Sequence, residues 1–97
     1  MAMYISLLQF TEQGIQNVKD TTKRAAAATA EAEKMSMEVR DAFWTLGPYD
    51  LVLLLEAPDD QSVTAFSLKL GALGNVKTQT MRAFRSEEME SILAKIK

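Results

Sequence analysis

Residues 46–57, Leu-Gly-Pro-Tyr-Asp-Leu-Val-Leu-Leu-Leu-Glu-Ala, decide the fold of this chain. A glycine-proline turn leads into a run that is apolar at odd and even positions alike, and a strand that is apolar on both faces must be covered twice. A chain of 97 residues can cover one side of a sheet with its own helices. The other side then calls for a second copy, and burial between subunits would supplement the modest core of a single short domain.

Outward from that strand, the remaining elements follow by pattern. Residues 3–10 read as a first strand, closed by Thr11, which supplies an N-cap hydroxyl ahead of Glu12 and Gln13. A short helix over 12–19 places Ile15 and Val18 on one side, and a break is expected near Asp20, Thr21 and Thr22. Lys23 to Met37 is alanine-dense and of high helix propensity. Its stripe of Ala25, Ala28, Ala32 and Met35 predicts close packing on a sheet. Residues 37–45 alternate, with Met37, Val39 and Phe43 on one side and Glu38, Arg40 and Trp44 on the other, interrupted by Asp41 and Ala42. Gly47 and Pro48 form a tight hairpin into Tyr49–Ala57.

Asp59 or Asp60 then caps a helix bearing Val63, Phe66, Leu70 and Leu73, which Gly71 and Gly74 are expected to stop. Residues 75–84 alternate again, with Val76, Thr78, Thr80 and Arg82 opposed to Lys77, Gln79, Met81 and Ala83. Ser86 opens a last helix with the stripe Met89, Ile92, Leu93 and Ile96. The order is β-α-β-β-α-β plus a C-terminal helix, an α+β, ferredoxin-like domain over residues 1–97 with a four-stranded antiparallel sheet. Strands one and three are continuously apolar while two and four carry charges, as central and edge strands should.

Composition narrows the chemistry. Hydrophobic residues make up 47% and charged residues 25%, and the net charge is −2, which provides no basic footprint for nucleic acid. Histidine and cysteine are absent, so the usual zinc and haem ligands, thiol nucleophiles and disulfides are all missing. No metal or cofactor is expected, and a reducing cytoplasm suits such a chain. The first ten residues lack a positive n-region and run directly into Thr11-Glu-Gln, the pattern of a strand rather than a signal peptide. No apolar run reaches the ~20 residues that span a bilayer, so no membrane association is expected.

Four separated stretches carry a resemblance: Phe10-Thr-Glu-Gln-Gly-Ile15, Trp44-Thr-Leu-Gly-Pro-Tyr-Asp-Leu-Val52, Glu56-Ala-Pro-Asp-Asp60 and Gly71-Ala-Leu-Gly-Asn-Val76. Together they resemble the GYD domain family, whose Gly-x-Tyr-Asp motif is matched by Gly47, Tyr49 and Asp50 with Pro48 at the variable place. The family comprises bacterial and archaeal proteins without an established activity. The resemblance implies a place in the dimeric α/β-barrel group, in which two ferredoxin-like sheets pack face to face. That group includes cofactor-free monooxygenases, haem-handling enzymes and effector domains of some transcription regulators, and shared fold does not transfer function.

The candidate site residues each have two readings. Tyr49 and Asp50 could orient a small ligand or shuttle a proton, but a structural turn is the simpler role, and neighbours on a strand point to opposite faces. Glu56 in apolar surroundings could have a raised pKa; a salt bridge to Arg40 or Arg82 is favoured over that. Trp44 and Phe43 could line a cavity between sheet and helices, or simply pack. Lys23 and Arg24 at a helix start would be explained by a bound anion, although surface placement is the plainer account. Gly71-Ala-Leu-Gly74 lacks the basic residues of an RNA-clamping loop, so helix termination explains it better.

Three functions remain open at this level: a homodimer binding a small apolar or anionic molecule between sheet and helices, a cofactor-independent oxygenase or isomerase using Tyr49, Asp50, Glu56 and Arg82, and a structural or regulatory module whose surface pairs with another protein. A binding site predicts a cavity of ~300 Å³ or more with few polar groups.

Overall fold

The computed structural model describes residues 1–97 and places every expected element. β1 (Ala2–Phe10) is followed by α1 (Glu12–Gln16), a 3₁₀ turn at Val18–Asp20 and α2 (Thr21–Lys34). Next come β2 (Glu38–Trp44), β3 (Leu51–Ala57), α3 (Asp60–Ala72), β4 (Val76–Ala83) and α4 (Ser86–Leu93). The strands form one antiparallel sheet in the order β2-β3-β1-β4. This is the ferredoxin-like arrangement, with the two apolar strands central. The sheet of one chain is open rather than closed into a barrel.

Capping places the helix starts. Thr11 Oγ1 accepts from the Gly14 amide at 3.1 Å, and Asp59 Oδ1 accepts from the Ser62 amide at 2.7 Å, each satisfying one of the donors a helix start leaves free. α2 begins two residues before Lys23 and stops short of Met37. Ser36, at φ 62°, reverses the chain in the left-handed region. Met37 can therefore drop into the core, where it is 1% exposed.

Helices cover one face of the sheet. Tyr4, Leu8, Leu51, Leu53, Leu55 and Ala57 are buried beneath them with Val63 and Phe66 of α3 and Ala32 of α2. Cross-strand partners lie on the same face, so the rows Asp41–Leu54–Ile5–Met81 and Phe43–Val52–Leu7–Gln79 form the uncovered side. Its apolar patch is plain at the edges, where Phe43 is 51% and Met81 47% exposed.

Three local expectations need correction. The hairpin is not tight: β3 starts at Leu51, and Thr45–Asp50 form a loop closed by the Thr45 amide on the Asp50 carbonyl at 3.0 Å. Tyr49 and Asp50 are thus loop residues. β2 contains a bulge between Val39 and Asp41 that leaves the Arg40 backbone without a register partner on β3, and the extra residue reverses the alternation. Val39 and Trp44 consequently share the helix side, opposite Leu55 and Leu51, while Phe43 turns to the open side. Gly71 lies within α3, and only Gly74, at φ 87°, ends it.

α4 stands apart from the core. None of its residues is buried, and Met89 and Leu93, with Ile96 just beyond its end, remain exposed. No helix is long and apolar enough to cross a membrane.

Candidate functional site

Two cavities flank the covered face of the sheet, and the first owes its existence to side-chain size. Alanines on α2 are too small to fill the space above the strands, so a cavity of about 420 Å³ opens between α2, α3 and the sheet. Ala25 and Ala28 form its roof, Leu8, Leu51 and Leu53 its floor, and Leu70 a side wall. The close packing expected of α2 holds at the fully buried Ala32 but fails one and two turns earlier. Charged groups occur in the lining only at Arg24, Glu31 and Lys69. Lys69 Nζ pairs with Glu31 Oε1 from α3 to α2, and that contact holds the Glu31 carboxyl below its ordinary value.

The second space is a shallower groove of about 620 Å³ between α3 and β4. It is polar. Tyr4, 3% exposed, donates its hydroxyl to Asp60 Oδ1, and the bond to that carboxylate raises the phenol above its usual value, with burial adding to the effect. Behind the pair, Thr80 Oγ1 lies 3.0 Å from Ser6 Oγ and 3.2 Å from Ser67 Oγ. This row of hydroxyls runs from β1 through β4 to α3.

The five candidate residues do not meet. Asp50 belongs to the fold: its Oδ2 accepts from the Phe10 amide at 2.8 Å, and its own amide donates to the Leu8 carbonyl at 2.9 Å. Tyr49 donates its hydroxyl to Gln79 Oε1 at 2.9 Å on the open face, and it lines neither cavity. Glu56, its side chain 13% exposed, is held between Arg40 at 3.1 Å and Arg85 at 2.6 Å. The Arg40 hydrogen bond first, then that of Arg85, keeps its carboxyl below the normal range despite partial burial. The partner besides Arg40 is thus Arg85 rather than Arg82.

Arg82 enters the polar groove. It pairs with Glu88 at 3.0 Å, and its guanidinium lies 5.7 Å from the Tyr4 ring and 4.5 Å from that of Phe84, within cation–π range. Trp44 donates from Nε1 to Thr21 Oγ1 at 3.0 Å. Thr21 lines the apolar cavity, so the indole stands beside that wall without forming it.

Sequence reasoning gives no site role to Tyr4, Ser6 or Asp60, and offers Asp60 only as a helix cap. A hydroxyl at Ser6 within an apolar strand is the available signal, matched by Thr78 and Thr80 at period two on β4. No three His, Cys, Asp or Glu side chains come close enough together to hold a metal ion.

Three of the four stretches that carry the family resemblance meet at one end of the molecule and lock it. An added Cβ at Gly14 would stand 2.0 Å from the Asn75 carbonyl oxygen, so only glycine permits the approach. The Thr11 amide donates to that same carbonyl at 3.0 Å, and Gln13 Nε2 donates to the Leu73 carbonyl at 3.1 Å. Asp50 joins the other side of the Phe10 corner. Gly47, at φ 125°, supplies a turn that an L side chain rarely adopts.

Comparison with known proteins agrees with that reading of the motifs. The GYD domain matches residues 4–93. The chain is 32% identical over 84 residues to the glutamine synthetase and cystathionine beta-lyase binding protein of Thermus thermophilus, covering 86% of this chain and 88% of that one. The crystal structure of TTHA0845, also from Thermus thermophilus, is similar at a TM-score of 0.58 and 23% identity, covering 89% of this chain and 96% of that chain. The crystal structure of FFRP-DM1 is similar at 0.57 and 21%, covering 87% and 100%. The two structural likenesses bear on fold alone. With the family match spanning nearly the whole length, this chain belongs to the GYD domain family.

Proposed function

We propose that this chain is a homodimeric protein-binding module whose partners are metabolic enzymes. The observation that carries the proposal is the uncovered sheet face: Ile5, Leu7, Val52 and Leu54 lie in its centre with Phe43 and Met81 at its rims. An apolar surface of this kind marks an interaction site, and the face of a second copy is self-complementary to it under two-fold symmetry. Pairing two such faces completes the dimeric barrel. The helical layer on the opposite side of the sheet remains outside that contact and is available to another protein. The Thermus relative is named as a binding protein for two enzymes, which supports partners of that type, and the cysteine-free composition suits work in the cytoplasm.

Light scattering after size exclusion tests the dimer, and interferometry against purified glutamine synthetase and cystathionine beta-lyase from the same organism tests the partners. The expected result is a dimer that binds at least one enzyme saturably. A monomer at every concentration overturns the first half. Failure to bind either enzyme overturns the choice of partners.

The apolar cavity favours a second, compatible reading, in which the module also holds a small molecule between α2, α3 and the sheet. A volume of about 420 Å³ with few polar groups lies in the range of small-molecule sites.

A further inference from the structure

The three charged groups of the apolar cavity are not equivalent. Glu31 and Lys69 neutralise each other across the gap between α2 and α3. Arg24 has no carboxylate within ion-pair distance. Its Nη1 donates to the Asn17 carbonyl at 2.6 Å and its Nη2 to the Gly14 carbonyl at 3.3 Å. Those two carbonyls close the end of α1 and fix the guanidinium, yet they leave its charge uncompensated and further N–H donors unused.

The guanidinium is half-buried at the edge of apolar walls, and an incoming anion offers it charge-assisted hydrogen bonds. From the geometry we infer that the cavity binds a small apolar monocarboxylate, its carboxylate on Arg24 and its hydrocarbon along Leu8, Leu51, Leu53 and Leu70. The inference rests on the small-molecule reading above and adds the chemical class. With Glu31 and Lys69 paired to each other, one free guanidinium in a mainly apolar lining matches a monoanion with a hydrocarbon body. A phosphate dianion would meet one unpaired cation, because the Lys69 ammonium already serves Glu31.

Titration calorimetry with octanoate, 1-octanol and inorganic phosphate tests this on the intact chain, on Arg24→Gln and on Ala25→Leu, after circular dichroism has shown each variant to be folded. Octanoate is expected to bind at least about tenfold more tightly than octanol, the worth of one charge-assisted contact, and phosphate not to compete with it. Arg24→Gln should weaken octanoate about tenfold and leave octanol unchanged. Ala25→Leu, which keeps Arg24 and fills the cavity, should weaken both.

Equal binding of octanoate and octanol, or an unaltered octanoate affinity in Arg24→Gln, overturns the carboxylate assignment while the cavity stands as an apolar site. Phosphate binding that equals that of octanoate also overturns it. Unchanged octanoate binding in Ala25→Leu places the ligand elsewhere. Absence of binding by both octanoate and octanol removes the small-molecule reading itself.

Discussion

At the scale of single residues, backbone geometry decides several outcomes. Gly14→Ala drives a Cβ into the Asn75 carbonyl, and neither backbone can yield without breaking the Thr11 amide bond to the same oxygen. A loss of about 3 kcal/mol or more is expected, read as a lower denaturation midpoint in urea. Ser36 holds φ 62°, a conformation that costs a side-chain-bearing residue roughly 1–2 kcal/mol. Ser36→Gly relieves that cost against a larger unfolded-state entropy, and the expected net result is a melting temperature a few degrees higher. Glu56 governs the acid side. Its carboxyl titrates below the normal range when folded, so its contribution is present above the unfolded value of about 4.3 and disappears as pH falls through the lower folded value. Thermal melts between neutral pH and pH 3 should therefore fall less steeply for Glu56→Gln than for the parent; parallel curves would show that the Arg40 and Arg85 contacts carry no stability.

Elements differ in how openly the sequence announces them. Strand polarity is decisive: charges on β2 and β4 against continuous apolarity in β1 and β3 place the central pair correctly. Capping by Thr11 and Asp59 is equally legible, because the acceptor lies next to the donors it satisfies. The bulge at Arg40 is visible only as an interruption at Asp41 and Ala42, since pairing with β3 determines which residue is extra. Cavities are harder still. Their outlines depend on how far an alanine face stands from leucines distant in sequence, so pattern alone assigns neither Arg24 nor the Tyr4–Asp60 pair to a space. The amphipathic stripe of α4 is readable, but its pattern does not say against what it packs. Because α4 contributes nothing to the buried core, a chain ending at Arg85 should retain the circular dichroism of its sheet and lose only a few degrees in melting temperature.

The whole molecule measures 52 × 30 × 19 Å, with a radius of gyration of 14.6 Å, against about 12–13 Å for a compact domain of this length. The short dimension is that of a single helical layer on a single sheet with nothing on its far side. If the open faces pair as proposed, a charge introduced at the centre of the patch must be buried without a partner. Leu54→Arg is accordingly expected to convert the dimer to a folded monomer in light scattering, with a dissociation constant raised at least about a hundredfold, a shift of ~3 kcal/mol. A variant that stays dimeric would show that another surface holds the copies together.

The strand order has a consequence for how the chain comes into being. β1 leaves the ribosome before either of its neighbours, β3 and β4, and Tyr4 pairs with Arg82 at the far end of the last strand. One side of β1 must therefore wait until α2 and β2 have been made and β3 follows, and the other until α3 has been made and β4 follows, and loop closure over such distances slows folding. Synthesis halted before Val76 would release a chain whose central strand lacks one side of its hydrogen-bonding ladder, an edge that invites aggregation. Helix α1, started by Thr11 directly behind that strand, is the earliest local structure able to form, and it cannot lock onto the Asn75 carbonyl until α3 and the turn that ends it have been translated.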